Sequence, residues 1–537
     1  MIKQKKSAKS KKKSAADTPT LSLKEQLAQK RQAAKTRKEL IDILTKSGGF
    51  GALVGVILFA VSGVKLALPG ALGIIVLTLS YKYPRLAIYA FIIYLPFAGT
   101  IIYILGNSPV MQLAKDAFYA PAAIAIWQSY KKQNQPFIVP KSIKIPLQIL
   151  WVCSLLTLIF INGGQQLGQN PPGEIPIGVG ILGLKVFMGY IPLITCTYYL
   201  IRNKSDFVFL ARMQIVLIIV CGVLGMIQYM LLLTGVCKGT IGVEGAALFK
   251  ASVESRCYIG GALLYTPEQG VIRLPGTFVA PWQWAWFLIS CTFFSFASAF
   301  SDKSIIWRIM SLFSLVLVVV NAVISGQRIA LALVPACFVL LLLLTGQLGN
   351  LKRFIPLGGG LALILAIAMT SNPTVVQERT ESFVSRWNAS PPQQFIVNQF
   401  EENWKDVDTP IGSGLGRATN SARVLGSTKL VETYYPKVLY EVGIVGTLAF
   451  LVFVTSLTIA AFKAQRSIKN RQLRTYAASM WVFILFISYN TYYYPLDVDP
   501  VAVYYWVCAG ILFKLPVIDK QENTEEIEIK QKRLTKK

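Results

Sequence analysis

Residues 206–234 read DFVFLARMQIVLIIVCGVLGMIQYMLLLT, a stretch longer than the roughly 20 apolar residues a helix needs to cross about 30 Å of hydrocarbon. Similar runs recur along the chain, near 49–65, 67–80, 86–104, 112–129, 146–162, 177–200, 279–300, 304–323, 327–346, 353–370, 434–462, 475–491 and 498–515. With 206–234 they make about fourteen expected spans. The first two share one apolar block around Leu68–Pro69–Gly70. The composition agrees, at 54% hydrophobic and 15% charged residues. A soluble core cannot absorb so many such runs, because a water-facing surface demands polar faces. The runs are continuous rather than alternating, which argues against a β-barrel. The expected fold class is an all-α polytopic integral membrane protein with a large extracytoplasmic loop.

The net charge of +28 is distributed as a topology signal. Lys and Arg collect in the N-terminal IKQKKSAKSKKKS, in the C-terminal KQKRLTKK and in alternate short loops. With the basic tail inside, the inner loops YKYPR, YKKQNQPFIVPKSIK, RNKSD, SDKSIIWR, GQLGNLKR and FKAQRSIKNRQLR all carry Lys or Arg. The outer loops GNSPV, NGGQQLGQNPPGEIP and YYYPLDVDP carry none. The expected organisation is a basic cytoplasmic tail over 1–46 and helices 1–11 over 47–370, with an outer loop at 235–275. A large outer loop over 371–433, helices 12–14 over 434–515 and a cytoplasmic tail over 516–537 follow. Residues 1–46 are too long and polar for a signal-peptide n-region. Anionic lipid is an expected partner. Nucleic acid is not, because no folded basic module is present.

The chain has no histidine, which excludes histidine bases and histidine ligands to metal or haem. Its eight cysteines contain no CxxC pair, so neither a zinc site nor any other metal or cofactor is expected. Cys237 and Cys257 fall clear of the spans on the outer side. They are candidates for a disulfide, or for two free thiols near the interface. On the same face Arg273 precedes a span and Arg328 occupies a short turn. Arginine offers a planar, permanently charged fork that suits phosphate oxygens. A charge at the membrane marks a functional site or snorkels to the interface.

Residues 410–450 read PIGSGLGRATNSARVLGSTKLVETYYPKVLYEVGIVGTLAF. Gly412, Gly414 and Gly416 allow backbone N–H groups to converge on an anion, with Arg417 and Arg423 adding charge. A plain flexible loop explains them equally well. No strand precedes them, which rules out a dinucleotide fold. The stretch 371–433 carries Glu378, Arg379, Glu381, Arg386, Glu401, Glu402, Asp406, Asp408 and Glu432. Trp387, Trp404, Tyr434 and Tyr435 are interleaved or follow directly. Aromatic faces and carboxylates together suit carbohydrate, while a solvated charged loop is the alternative. Lys115 and Asp116 in one apolar span, and Lys185 in another, read as an inner-half pair that is structural or lines a transport path.

The order of motifs is informative. Arg273-x-x-Gly-Thr-Phe-x-x-Pro precedes a span, and Ser325-Gly-Gln-Arg328 sits at a turn. Arg386-Trp387 and Pro410-x-Gly-x-Gly-x-Gly lie in the long loop, and Glu441-x-Gly-x-x-Gly opens the next span. Over about 270–450 this resembles the bacterial O-antigen ligase and polysaccharide polymerase superfamily. The resemblance implies a metal-independent membrane glycosyltransferase of the C type in the bacterial inner membrane. Such an enzyme takes a glycan from an undecaprenyl-diphosphate carrier on the periplasmic face. It passes the glycan to a glycan, lipid or protein acceptor. Arg273 and Arg328 would hold the diphosphate, whose charge grows in the transition state. Arg386, Trp387, Gly412, Gly414, Gly416, Arg417, Tyr434, Tyr435 and Glu441 would line the substrate site. The chain departs from the pattern at Glu432-Thr433-Tyr434, where a histidine is usual. Glu432 would then act as base. A different acceptor, a non-catalytic homologue, or a transporter or flippase of similar bulk are the alternatives.

Overall fold

The computed structural model describes residues 23–535, apart from 106–110, 112, 113, 169, 170, 242, 244–256, 262, 267–270, 348, 350–358, 360–369, 371–376, 378–380, 382, 383, 386, 390 and 408. It is 79% helical. In chain order the main helices begin with α1 (Leu23–Ser62), α2 (Val64–Lys82), α3 (Pro84–Tyr94), α4 (Ala98–Ile104), α5 (Ala114–Lys132) and α6 (Lys144–Leu156). Next come α7 (Gly163–Leu167), α8 (Pro176–Met188), α9 (Leu193–Leu200) and α10 (Lys204–Leu233). A two-stranded antiparallel hairpin, β1 (Leu264–Thr266) and β2 (Val271–Arg273), pairs Leu264 with Arg273. The remainder are α11 (Pro281–Ser301), α12 (Ile305–Ile324), α13 (Arg328–Leu344), α14 (Pro392–Lys405), α15 (Tyr434–Ser467), α16 (Arg471–Tyr489) and α17 (Asp499–Leu534).

Among the described residues, eight helices are long and apolar enough to cross a membrane. They are Lys30–Ala60, Pro84–Ile104, Lys141–Leu167, Lys204–Leu233, Pro281–Ser301, Ile305–Ile324, Tyr434–Ser467 and Asp499–Glu528. The pair α8 and α9, bent by 41°, makes a ninth if read as one span. This is a multi-pass membrane protein. Of the other segments expected to span, 67–80 and 327–346 form shorter apolar helices. Those at 112–129 and 475–491 form α5 and α16, which are not among the eight. The segment 353–370 falls almost wholly outside the described residues.

The chain divides into residues 1–79 and 80–537. In the first, Gly51 and Gly55 of α1 face Ala71 of α2. A Cβ on Gly51 would lie 2.7 Å from the Ala71 carbonyl oxygen, so the small residues let the backbones approach. In the second, α11 is the central helix. Its apolar window is wholly buried, with Trp284, Trp286, Phe287 and Phe296 inside. A helix apolar all round belongs in the core. Several of its hydroxyls are satisfied locally or sideways, as where Ser295 meets Ser314 Oγ at 2.8 Å. The long run 206–234 became α10. The Asn203 side chain caps it by accepting from Asp206 N at 2.9 Å. Arg212 within that run is neutralised by a two-point contact with Asp302, at 2.9 and 2.8 Å.

Candidate functional site

Helix α15 is broken. Gly443 has φ 66° and ψ −172°, and the chain then resumes its helical path into the membrane. The glycine loop fills the break. Gly414 N donates to the Glu441 carbonyl oxygen at 3.2 Å, and Val445 N to that of Pro410 at 3.2 Å. A Cβ on Gly412 would stand 2.5 Å from Gly443 N, so both positions require glycine. The loop is pinned on its other side by the π-helical turn that follows α6 and by α7. Thr157 Oγ1 donates to Ile411 O at 2.9 Å, and Gln165 Nε2 to Ser413 O at 2.9 Å. Asn162 Nδ2 donates to Leu415 O at 3.0 Å, while its Oδ1 accepts from Leu415 N at 2.9 Å.

This corrects the reading of Gly412, Gly414 and Gly416 as an anion cradle. The N–H groups of Gly412, Ser413, Gly414 and Leu415 all point to protein acceptors. Arg417 is likewise committed. Its guanidinium donates to Gln165 Oε1 at 2.9 and 2.7 Å and pairs with Glu174. That guanidinium holds the Glu174 carboxyl below its ordinary range, against the opposing effect of burial. Glu441 is also internal. Its carboxylate accepts from Ala418 N and Thr419 Oγ1, each at 2.9 Å, and lies 3.8 Å from the Lys437 ammonium. Tyr434 and Tyr435 are buried against Phe450, with the Tyr435 hydroxyl donating to Ser488 O. They offer no face to a sugar. Trp387 is exposed and Arg386 lies outside the described residues.

Arg273 and Arg328 belong to segments joined through the backbone. Leu274 N donates to Ser325 O at 3.0 Å, and Gly326 packs on Ile272. Beneath them Gln228 of α10 clamps the Arg273 loop, donating to Ile259 O at 2.6 Å and Gly276 O at 3.1 Å. Cys237 and Cys257 form a disulfide with Cα atoms 5.4 Å apart. They share a small core with Leu232, Leu263, Ile272 and Leu274. The hairpin that ends in Arg273 therefore stands on a stapled platform.

The Glu432 segment pairs with a loop that the motifs did not single out. Thr433 forms a bridge with Tyr492, and Tyr434 N donates to Thr491 O at 2.7 Å. Burial pushes the Tyr492 hydroxyl up to about 12, with Tyr493 and Glu432 adding to the rise and Arg328 opposing it. Tyr494 is likewise raised to about 12, by burial first and then by Glu432. Tyr492 is thus in electrostatic reach of both Arg328 and Glu432, and Tyr494 of Glu432. Tyr493 and Tyr494 sit at φ 55° and 32°, a conformation rare for bulky residues and concentrated at functional sites.

No protein-family model and no curated protein matches this chain.

Two ion clusters flank the tyrosine loop. Asp497 pairs with Lys437, and Asp499 pairs with Lys115 while accepting from Tyr190 Oη at 3.0 Å. Asp116 meets Lys185 at 2.7 Å beside them. Lys115, Asp116 and Lys185 therefore lie towards the Tyr492 end of the bundle rather than in the opposite half. On the far side of the glycine loop a cleft of about 660 Å³ is lined by Phe160, Gln165, Glu174, Arg417, Lys429 and Tyr440, among others. Among the described residues, no group of three His, Cys, Asp or Glu is placed to hold a metal. The one sequence signal for the tyrosine loop was YYYPLDVDP itself, with paired carboxylates and no basic residue.

Proposed function

We propose that this protein is a membrane glycosyltransferase of the O-antigen ligase and polymerase type. It moves a glycan from an undecaprenyl-diphosphate carrier to a glycan, lipid or protein acceptor. The observation that carries the reading is the bridge that sets the Glu432 segment against Tyr492, with the Arg273 segment bonded to the turn before Arg328; Tyr492 feels the charge of both Glu432 and Arg328. In the proposed reaction an acceptor oxygen bonds to the anomeric carbon as that carbon's bond to phosphate breaks. Glu432 takes the acceptor proton, and undecaprenyl diphosphate leaves. Arg328 and Arg273 stabilise its growing charge, the step where fixed cations lower a barrier most. A carboxylate base also suits a chain without histidine.

The reading includes fourteen spans, both termini in the cytoplasm of a bacterial cell, and 371–433 as a loop outside the inner membrane. The alternation of basic and non-basic loops supports that orientation. Anionic lipid would bind the basic tails. The competing reading is a transporter, which the paired charges Lys115–Asp499 and Asp116–Lys185 favour. Arg328→Ala and Glu432→Gln discriminate. In native membranes each is expected to cut transfer by at least about 10²-fold and to leave lipid-linked glycan accumulated. Normal transfer at normal expression would sink the proposal.

A further inference from the structure

Helix α14 carries an inward face and a separate apolar stripe. Phe395, Gln399 and Asn403, spaced at i, i+4 and i+8, form the inward one. The Phe395 ring centre is 6.1 Å from that of Tyr492, Gln399 Oε1 accepts from Glu432 N at 3.1 Å, and Asn403 is buried. Val397, Phe400 and Trp404, at i, i+3 and i+7, form a second stripe turned away from the bundle. These three are 52%, 36% and 60% exposed. The polar residues Asn398, Glu401 and Lys405 occupy the remaining exposed face.

The chain leads from the second stripe to the outward surface of α15. Six residues past Trp404, the Pro410 carbonyl accepts from Val445 N. Val445 opens the outward stripe of α15, continued by Leu448, Val452 and Ile459, which are 44%, 54%, 53% and 50% exposed. Trp404 thus lies within six residues of the contact at which the outward stripe of α15 begins, and tryptophan concentrates at the membrane boundary. A soluble partner would meet the polar face as well, whereas a bilayer needs only the narrow stripe and leaves Glu401 in water.

We propose that α14 is an interfacial helix. Its Val397–Phe400–Trp404 stripe lies in the headgroup boundary of the bilayer, and its inward face holds the Glu432–Tyr492 rim at membrane level. The partner surface is phospholipid.

The test places a nitroxide separately at Val397→Cys, Trp404→Cys and Glu401→Cys in the full chain, reconstituted in phosphatidylcholine nanodiscs. The six free native cysteines are buried, and the unsubstituted protein measures any background labelling. Power saturation with oxygen and with an aqueous nickel chelate reads the depth. Labels at 397 and 404 are expected to favour oxygen and to lie about 5–10 Å into the boundary, with 401 favouring nickel. Nickel access at 397 and 404 would overturn the proposal by placing the helix in water. Exclusion of both reagents would also overturn it, by showing the stripe covered by another part of this chain or a second copy. The two stripe positions are independent reporters, so loss of one variant leaves the other.

Discussion

Gly443→Ala tests the idea that the glycine loop is a plug built into a broken helix. The residue sits at φ 66° and ψ −172°, a region open essentially to glycine alone, and forcing alanine there costs about 1–3 kcal/mol. The added Cβ would stand 2.2 Å from the Pro410 carbonyl oxygen and 2.4 Å from Gly412 N. Both are backbone atoms, so relief means moving the loop, and overpacking of that kind costs about 1–3 kcal/mol more. The hydrogen bonds from Val445 to Pro410 and from Gly414 to Glu441 would stretch as it moves, but their loss overlaps with the second cost. We expect a total of about 2–6 kcal/mol. Gly73→Ala is the control, since nothing lies within 4 Å of its Cβ position and it is in the middle of α2. It should be neutral or stabilise by about 0.5–1 kcal/mol. The assay is thermal unfolding of purified protein in detergent, followed by intrinsic fluorescence. Gly412→Ala opposes the same contact, so combining it with Gly443→Ala should cost less than the sum. A Gly443→Ala protein that melts with the wild type would refute the reasoning.

Lys437→Met strands the carboxylates of buried Glu441 and half-buried Asp497 and should cost about 3–5 kcal/mol in the same assay, part of which Asp497→Leu recovers. The Glu174–Arg417 pair predicts a pH dependence. Because the folded carboxyl titrates below its unfolded value of about 4.3, its stabilisation is full above that pH and is lost as pH falls through the lower folded value. Melting scans between neutral and strongly acidic pH should lose this component in Arg417→Met and keep it in the wild type. Alkylation without reduction, followed by intact-mass measurement after denaturation, should leave Cys237 and Cys257 unmodified. The double Cys→Ser variant should be less stable by about 3 kcal/mol, since the bridge closes a loop across 20 residues.

The helices were legible because an apolar run of membrane length has few alternatives. The run 206–234 is the clearest case, and even its one arginine found a partner in Asp302. The break in α15 was not, because Glu-Val-Gly-Ile-Val-Gly reads as the start of a continuous span. Only the loop lodged at Gly443 shows otherwise. Tyr434 and Tyr435 read as sugar-facing because they follow a polar stretch. Which way an aromatic ring turns depends on a distant partner, here Phe450 and Ser488. The same limit hid the tyrosine loop at 492–494. Its proximity to Glu432 depends on a bridge between Thr433 and Tyr492, fifty-nine positions apart, with no local signature.

That loop is held from several spans at once, which explains how it tolerates strain. Two consecutive tyrosines with positive φ cost about 1–3 kcal/mol each, and such geometry persists only where its surroundings over-determine it. The surroundings do so here. On one side of Tyr493 the backbone of Thr491 accepts from Tyr434 at the head of α15. The carbonyl of Tyr493 itself accepts from Trp286 of the central helix at 3.1 Å. Beyond Tyr494, Asp497 is paired with Lys437, and Asp499 with Lys115 and Tyr190. The two ion clusters that would otherwise suggest a path through the membrane thus have a mechanical role. They tie the end of one short loop to α15 and α5, while Trp286 ties it to α11. A transport path needs charges that exchange partners in turn. The proposed transfer site needs charges that stay put, and Asp497 and Asp499, each held by its own lysine, suit that need.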